Sequence, residues 1–249
     1  MTGPAYAASP TSAASSGSPT LNLLSAGAAQ GLVQALVPQL LQEAGRRLEA
    51  RFGAVGAMQE AFDTGAPCDL MVLTDAMVGT MVADGRLRAE GRAALGRVRT
   101  AVAVRAGTPH PPVATPEQLA AALQAADAVY FPDPQRATAG IHFERVLREL
   151  GLLQALGPRL RTFPNGATAM RELAASNSAH PIGCTQVTEI LNTPGAELVA
   201  VLPARFELAT VYTAAVSSRA ADPEAAARFI AMLAGPRAAA LRARCGFEA

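Results

Sequence analysis

Short apolar runs alternate with helical patterns along most of the chain. Residues 69–73 read Asp-Leu-Met-Val-Leu, which is typical of a buried strand, whereas residues 223–234 carry apolar side chains at helical spacing. The same criteria predict further strands at residues 21–25, 100–105, 128–131, 182–184, 198–202 and 211–216. They also predict helices at residues 31–50, 56–64, 76–84, 139–150, 167–176 and 237–244, and one that begins after Thr115. Strands that alternate with helices favour an α/β fold with mostly parallel sheets.

The first twenty residues have a different composition. Apart from Met1 and Tyr6 they are Ala, Ser, Pro, Thr and Gly, with no charged residue. Such a segment cannot bury enough apolar surface to offset its ordering entropy, so residues 1–20 are predicted to be a disordered tail. They lack the basic and apolar regions of a secretory signal. The sequence also contains no apolar run long enough to predict a transmembrane helix.

The composition of the chain excludes several classes of function. The 249 residues include 21 basic and 20 acidic side chains, for a formal net charge of +1. Nucleic-acid binding is therefore not expected, since it usually requires a basic excess. The chain has no Lys, which excludes a Schiff-base lysine and a P-loop. The three Cys and three His are widely spaced, so we predict neither a metal site nor another cofactor.

Loops of small residues precede several of the predicted helices. They lie at residues 25–29, 53–56, 136–140, 164–168 and 184–188. Small residues let a ligand approach the backbone, and helix N-termini present unpaired N–H groups. Because such loops gather at the carboxyl ends of strands in an α/β sheet, together they would form an anion site. The alternative is that each loop is an ordinary tight turn.

Few side chains in the sequence suggest chemistry. It contains no GxSxG, HExxH, GxGxxG or Walker motif. Arg136 is the best cationic candidate, because a guanidinium can bind a carboxylate through two hydrogen bonds. His142, Glu144 and Asp133 are the candidates for a general base if the chain is an enzyme. Solvated positions on a loop or helix face are the alternative for all of them.

Several segments resemble the substrate-binding proteins of molybdate-type ABC transporters, from about residue 21 to residue 247. They read Ser-Ala-Gly-Ala from Ser25, Thr-Gly-Ala-Pro-Cys-Asp-Leu from Thr64, Ile-Gly from Ile182, and Leu-Ala-Gly-Pro-Arg-Ala-Ala followed by Cys-Gly-Phe near the C-terminus. Residues 132–140 are also similar. The resemblance implies a two-lobed α/β fold of the type II periplasmic-binding-protein kind, with mixed sheets and a two-strand hinge. Lobe I would comprise residues 21–99 plus 208–249, and lobe II residues 100–207, with crossings near residues 100–107 and 206–212.

The same resemblance implies partners and a location. We expect a periplasmic monomer that captures a small anion between its lobes, has no catalytic role, and delivers the anion to a membrane permease. A cytoplasmic ligand sensor and an enzyme on the same fold are the alternatives.

The ligand is predicted from positions where this sequence departs from the family. Carried over by position, the family's oxyanion-binding hydroxyls fall on Ala28, on residues 54–56 and, for a Tyr, on Gln186; its Ala-Gly-Ile loop falls on residues 139–141. Because those hydroxyls are missing, we expect a small organic di- or tricarboxylate, with molybdate or tungstate as the alternative. The residues expected to face the ligand are Ala28, Gly56, Thr74, Arg136, Thr138, Ala139, Gly140, Asn165, Gly166, Thr185 and Gln186.

Overall fold

The computed structural model describes residues 19–249. The predicted tail lies outside the described residues, except that Thr20 already belongs to the first strand. The strands are β1 Thr20–Ala26, β2 Arg47–Gly53, β3 Leu70–Thr74, β4 Ala93–Arg105, β5 Ala128–Pro132, β6 Leu160–Phe163, β7 Pro181–Gln186, β8 Ala196–Val201 and β9 Ala209–Val216. The helices are α1 Gln30–Ala44, α2 Val55–Asp63, α3 Asp75–Ala83, α4 Pro116–Ala125, α5 Thr138–Glu149, α6 Leu153–Leu156, α7 Gly166–Ala174, α8 Val187–Leu191, α9 Pro223–Ala234 and α10 Ala239–Arg244.

One long strand, β4, takes part in two groups of paired strands. In the first group the order is β2-β1-β3-β9-β4, in which β1 is parallel to β2 and β3, and β9 is antiparallel to β3 and β4. In the second, β4 pairs with β7 and β8, and the parallel strands β5 and β6 follow β7. The pairing of β4 changes from β9 at Arg99 to β7 at Thr100. The predicted α/β fold with mixed sheets is confirmed. The prediction of mostly parallel sheets is wrong, since four of the eight strand pairs among the described residues are antiparallel.

Each group of strands has its own hydrophobic core. The first core packs helices α1, α2 and α9 against β1 and β3, with Leu32, Phe62 and Phe229 fully buried. The second packs α4 and α5 against β5 and β7, where the Phe131 and Phe143 rings meet edge to face at 5.4 Å. A smaller cluster holds α7 against β4. Separate cores let two lobes move as units, since neither core must be broken for them to separate.

The predicted first crossing, near residues 100–107, begins where the pairing of β4 changes. Residues 100–105 are not a free connection but pair on both sides, with β7 and β8. The Thr100 N–H donates to the Leu208 carbonyl at 3.0 Å, and the Leu202 N–H donates to the Thr100 carbonyl at 3.1 Å. These two hydrogen bonds connect β4, where it passes from the first group of strands to the second, with the segment around residues 202–208 that returns to the first group. The lobe boundaries at residues 99/100 and 207/208 stay a prediction.

Helix α1 ends earlier than the sequence pattern predicts. The predicted helix over residues 31–50 ends at Ala44, because Gly45 takes a left-handed conformation (φ +60°) that caps it, and the chain turns to pair Arg47–Gly53 with β1. Strand β2 is rich in helix-forming residues, so tertiary pairing overrides its local preference. The sequence also missed the short elements β6 and α8. None of the helices within residues 19–249 is long and apolar enough to cross a membrane.

Candidate functional site

A narrow crevice lies where the carboxyl ends of five strands meet. They are β1 and β2 of the first group and β5, β6 and β7 of the second. The crevice has a volume of about 20 Å³, room for about one water molecule. All the small-residue loops found in the sequence contribute to it, and their lining residues are Ala26, Gly27, Ala28, Gly53, Ala54, Val55, Pro132, Ala137, Thr138, Ala139, Asn165, Gly166, Gln186, Glu189 and Tyr212. Because these loops come from both lobes, the crevice lies between the lobes.

Helix starts face this crevice from both lobes. Helix α7 begins at Gly166, and its cap Asn165 accepts a hydrogen bond from the Thr168 N–H at 2.8 Å through its side-chain oxygen. Helix α5 begins at Thr138, and α2 begins after Ala54. Neither of these two helices has a side-chain cap. The Gly56 N–H of α2 donates to the Arg136 carbonyl at 3.4 Å, whereas the first N–H groups of α5 remain available to a ligand.

The most unusual group in the crevice is the carboxyl of Glu189, which is only 7 % exposed. The Thr185 hydroxyl donates to its Oε2 at 2.6 Å. A Cβ atom added to Gly27 would lie 2.5 Å from Oε1, and one added to Gly166 would lie 1.9 Å from Oε2. Because both positions are glycine, one in each lobe, the carboxyl has room between them.

The surroundings of Glu189 favour its neutral form. Burial raises the pKa of the Glu189 carboxyl above its ordinary value, although the Thr185 hydroxyl and the nearby N–H groups of Ala167, Gln186 and Gly166 oppose the rise. No Arg or His lies within 4.0 Å of this carboxyl among residues 19–249 to compensate its charge. A buried carboxyl without a cationic partner is a common sign of a functional site.

Two further polar side chains lie beside Glu189. Gln186 is 2 % exposed, and neither its amide nitrogen nor its amide oxygen has a hydrogen-bond partner in the described structure. Tyr212 is equally buried on β9, and burial together with the Glu189 carboxylate raises the pKa of its hydroxyl. Tyr212 therefore stays a hydrogen-bond donor. Both side chains offer unused hydrogen-bonding capacity to a ligand.

A wider groove, the outer groove, adjoins the crevice and shares Val55 and Thr138 with it. It encloses about 790 Å³ and is lined by Val55, Gly56, Glu60, Thr74, Asp75, Ala76, Met77, Gln135, Arg136, Thr138, Ile141, His142, Arg145, Leu208, Ala209, Thr210 and Val211. Arg136 pairs with Glu60 of the other lobe at 3.1 Å. Arg145 has no acidic partner within 4.0 Å in the part of the chain that the structure describes. The arginines of the site thus lie at its mouth, together with the paired carboxylates of Glu60 and Asp75.

The predicted ligand residues fall into three groups. Ala28, Thr138, Ala139, Asn165, Gly166 and Gln186 line the crevice, and Gly56, Thr74 and Arg136 line the outer groove. Gly140 lines neither, because it packs against the carbonyl oxygens of Pro132 and Asp133. Thr185 is fully buried and contacts Glu189. Direct contact of these residues with a ligand stays a prediction.

The three candidate general bases lie away from the crevice. Asp133 accepts hydrogen bonds from the N–H groups of Gln135 and Arg136, Glu144 pairs with Arg148 at 3.3 Å, and His142 contacts the Phe206 carbonyl at 2.7 Å. Within residues 19–249 no group of three or more His, Cys, Asp or Glu side chains is placed to hold a metal ion.

The sequence-based prediction missed Glu189 and Tyr212. A signal for Glu189 is present, since it follows Thr185 by four residues at the end of an apolar strand, but the sequence pattern does not predict helix α8. Tyr212 reaches the crevice through the pairing of β9 between β3 and β4, which no local pattern shows.

Residues 21–248 match the family model described as bacterial extracellular solute-binding protein. The chain belongs to this family. The fold resemblance is also clear among solved structures. The periplasmic molybdate-binding protein of Azotobacter vinelandii is 20 % identical with a TM-score of 0.76, over 92 % of this chain and 99 % of that one. PEB3 with bound L-phospholactate is 13 % identical with a TM-score of 0.67, over 92 % and 99 %.

A relative of this solute-binding protein carries the name of an enzyme. It is called aconitate isomerase, comes from a Pseudomonas species, and is 26 % identical over 226 residues, which are 88 % of this chain and 84 % of the relative. The similarity to molybdate-type binding proteins is confirmed at the level of family and fold.

A first test concerns the free energy of unfolding and Glu189. Because the pKa of this carboxyl is raised in the folded protein, its ionisation opposes folding as the pH rises through the folded-state pKa. We expect Glu189→Gln to raise the Tm by a few degrees at pH 8, at about 2–4 °C per kcal/mol. The gain should vanish below about pH 4, where Glu is protonated in both states.

The matched control is Glu172→Gln, which removes an exposed carboxylate from α7. Thermal unfolding of the three proteins between pH 4 and pH 8 gives the comparison. A Glu189→Gln difference that stays constant with pH, or that grows as the pH falls, would contradict the assigned direction.

Proposed function

We propose that this solute-binding protein captures a small organic acid with two or three carboxylates in the crevice and the outer groove. The observation that carries this proposal is the arrangement of charge along the site. A carboxyl, Glu189, lies at the inner end without a cation beside it, whereas the guanidinium groups of Arg136 and Arg145 lie at the mouth. The carboxylates at the mouth, Glu60 and Asp75, are paired with Arg136 and Arg92, which leaves Arg145 without an acidic partner among the described residues. An elongated organic acid matches this arrangement, with carboxylates toward the arginines and carbon-bound hydrogens or a hydroxyl toward Glu189.

A tetrahedral oxyanion fits the same arrangement less well. Such a dianion needs hydrogen-bond donors on every side, and in the crevice it would meet the Glu189 carboxyl with no guanidinium among the lining residues. The hydroxyls available there are those of Thr138 and Tyr212. The charge distribution therefore favours an organic acid over molybdate or tungstate.

The comparisons support this ligand class. The relative named aconitate isomerase acts, by its name, on an unsaturated tricarboxylate. PEB3 shows that a protein of this fold holds L-phospholactate, a small organic anion. The proposal includes a transport role, in which the protein delivers its ligand from the periplasm to a membrane permease. The family description supports this role, as does a neighbour titled as the substrate-binding domain of a putative molybdenum ABC transporter.

Ligand entry requires the lobes to separate. The crevice holds about one water molecule, and the lobes are joined at its mouth by the Arg136–Glu60 ion pair and by a 3.4 Å hydrogen bond from the Gly56 N–H to the Arg136 carbonyl. A ligand that bridges the lobes binds the closed state better than the open one and so shifts the population toward closure.

A second candidate function is the isomerisation of an unsaturated organic acid. The observation that favours it is the buried carboxyl of Glu189 inside the crevice of a chain whose relative is named an isomerase. Binding is common to both candidates, so binding is measured first.

The binding test uses a panel of anions in thermal unfolding and calorimetry. We expect cis-aconitate, trans-aconitate, citrate or propane-1,2,3-tricarboxylate to raise the Tm by about 5–10 °C at 100 times the Kd, a stabilisation of about 2.7 kcal/mol. Molybdate, tungstate and sulfate should leave the Tm unchanged. A shift with molybdate or tungstate and none with the carboxylates would overturn the proposed ligand class.

The arginines at the mouth give a matched pair of variants. Arg136→Ala and Arg145→Ala should each weaken carboxylate binding about tenfold to a hundredfold, the usual effect of losing a charge-assisted hydrogen bond. Arg148→Ala is the control, because Arg148 is exposed on the same helix as Arg145 and does not line the groove. Equal affinities in all three variants would remove the arginines from the site.

A further inference from the structure

The Glu189 carboxyl is held so that one oxygen is fixed and the other faces the opposite lobe. Oε2 accepts the short hydrogen bond from Thr185 and lies against Gly166, while Oε1 is directed toward Gly27, which follows β1 in lobe I. The carboxyl therefore crosses the crevice that a ligand must enter. Thr185 acts as a positioning residue, because its hydrogen bond fixes which oxygen remains available.

Glu189 is also the strongest base among the crevice-lining side chains. The other lining residue that can ionise is Tyr212, which remains protonated. Burial raises the pKa of the Glu189 carboxyl, which makes its carboxylate a stronger base than an exposed one. Its polar partners are the Thr185 hydroxyl and nearby backbone N–H groups, and no cation lies within 4.0 Å of it among residues 19–249.

We propose that Glu189 is an acid–base catalytic residue that moves a proton between two carbons of a bound unsaturated carboxylate. This inference rests on the proposed binding of an organic acid in the crevice. The protein would then isomerise the ligand in the same site in which it binds it.

The reaction needs no co-reactant. The Glu189 carboxylate takes a proton from the saturated carbon next to the double bond, the C–H bond breaks, and its electron pair spreads over the three-carbon unit and its carboxylates. The carboxyl then returns the proton to the far carbon, a new C–H bond forms there, and the double bond moves to the first carbon. The cis or trans geometry of the new double bond is set by the conformation in which the first carbon is held. Nothing is oxidised or reduced, and Glu189 ends as a carboxylate.

The neighbours of Glu189 suit the intermediate of this reaction. Negative charge develops on the ligand's carboxylate oxygens, and the free amide N–H groups of Gln186 and the hydroxyl of Tyr212 can donate to them. The uncapped start of α5 adds backbone N–H groups. Donors fixed in place before the reaction stabilise such charge without reorganisation.

The experiment follows proton exchange at carbon. Wild-type protein and cis- or trans-aconitate are incubated in D2O, and proton NMR follows deuterium incorporation and the ratio of isomers. Propane-1,2,3-tricarboxylate, which has no double bond, serves as the binding probe in calorimetry. We expect wild-type protein to incorporate deuterium and convert the isomers.

Glu189→Gln should lower the exchange rate by about 100-fold to 10,000-fold, the usual range for loss of a general base, with binding of propane-1,2,3-tricarboxylate within several-fold of wild type. Glu189→Asp should retain a part of the activity, with its own pH profile. Glu172→Gln should exchange at the wild-type rate.

Three results would overturn the inference, and they are distinguishable. If the wild-type protein binds the tricarboxylate but exchanges no deuterium, the proposed binding function stands and the catalytic role is refuted. Undiminished exchange by a folded Glu189→Gln would remove Glu189 from the role. Absence of any tricarboxylate binding would overturn the binding function together with the inference.

Discussion

Gly140→Ala is expected to destabilise the protein by at least about 2 kcal/mol, a fall in Tm of about 4–8 °C. A Cβ atom at Gly140 would lie 2.3 Å from the carbonyl oxygens of both Pro132 and Asp133. These are backbone atoms at the end of β5, so no side-chain rotation relieves the clash. The start of α5 would have to move away from the sheet, which would also displace Thr138 and Ala139 in the crevice.

The matched control is Gly79→Ala on α3. Gly79 also lies inside a helix, but a Cβ atom there would meet no atom within 4 Å. This substitution should stabilise the protein by up to about 1 kcal/mol, because Ala loses less conformational entropy than Gly in a helix. Thermal and urea unfolding of both variants check the pair. Equal Tm values would show that the contact between α5 and the end of β5 adapts to an added methyl group.

Gly166→Ala is expected to disturb the site directly. The added Cβ would lie 1.9 Å from the Glu189 Oε2 and 2.1 Å from the Thr185 hydroxyl oxygen, so the carboxyl must leave its position. We expect a loss of about 1–3 kcal/mol in the free energy of unfolding and a tenfold to hundredfold loss in affinity for carboxylate ligands.

Removing Glu189 as well isolates this contact. In the double variant Gly166→Ala with Glu189→Ala the clash with Oε2 is absent, so the destabilisation should fall short of the sum of the single effects by more than about 1 kcal/mol. Urea unfolding of the four proteins measures this coupling. Additive effects would mean that Gly166 and the Glu189 carboxyl do not compete for the same space.

The elements that the sequence predicts well are those with a local signal. The strand β3 is a continuous apolar run, and α4 begins with a Thr cap that accepts the Gln118 N–H followed by Pro116. Strand β2 has no such signal, because its exposed Arg and Glu side chains are also favourable in a helix. It becomes a strand by pairing with β1, a contact between segments far apart in the sequence.

The same distinction applies to the site. Small-residue loops after strands are visible in the sequence, and they meet at one crevice because parallel strands end at one edge. The burial of Glu189 and the neighbourhood of Tyr212 depend on how α8 and β9 pack against the rest of the chain. The family's Tyr was assigned by position to Gln186, whereas the structure places Tyr212, a Tyr from a different strand, beside it.

The passage of β4 through both groups of strands limits how the site can open. Thr100, where the pairing of β4 changes, is the register partner of Gln186 and is bonded to Leu208 on the returning segment. If the lobes rotate about this point, we expect Gln186 to move little and the contact between Arg136 and Glu60 to move more. Solvent would therefore reach the inner carboxyl only after the arginine side of the mouth has parted, so an arriving acid would meet guanidinium groups before it meets Glu189.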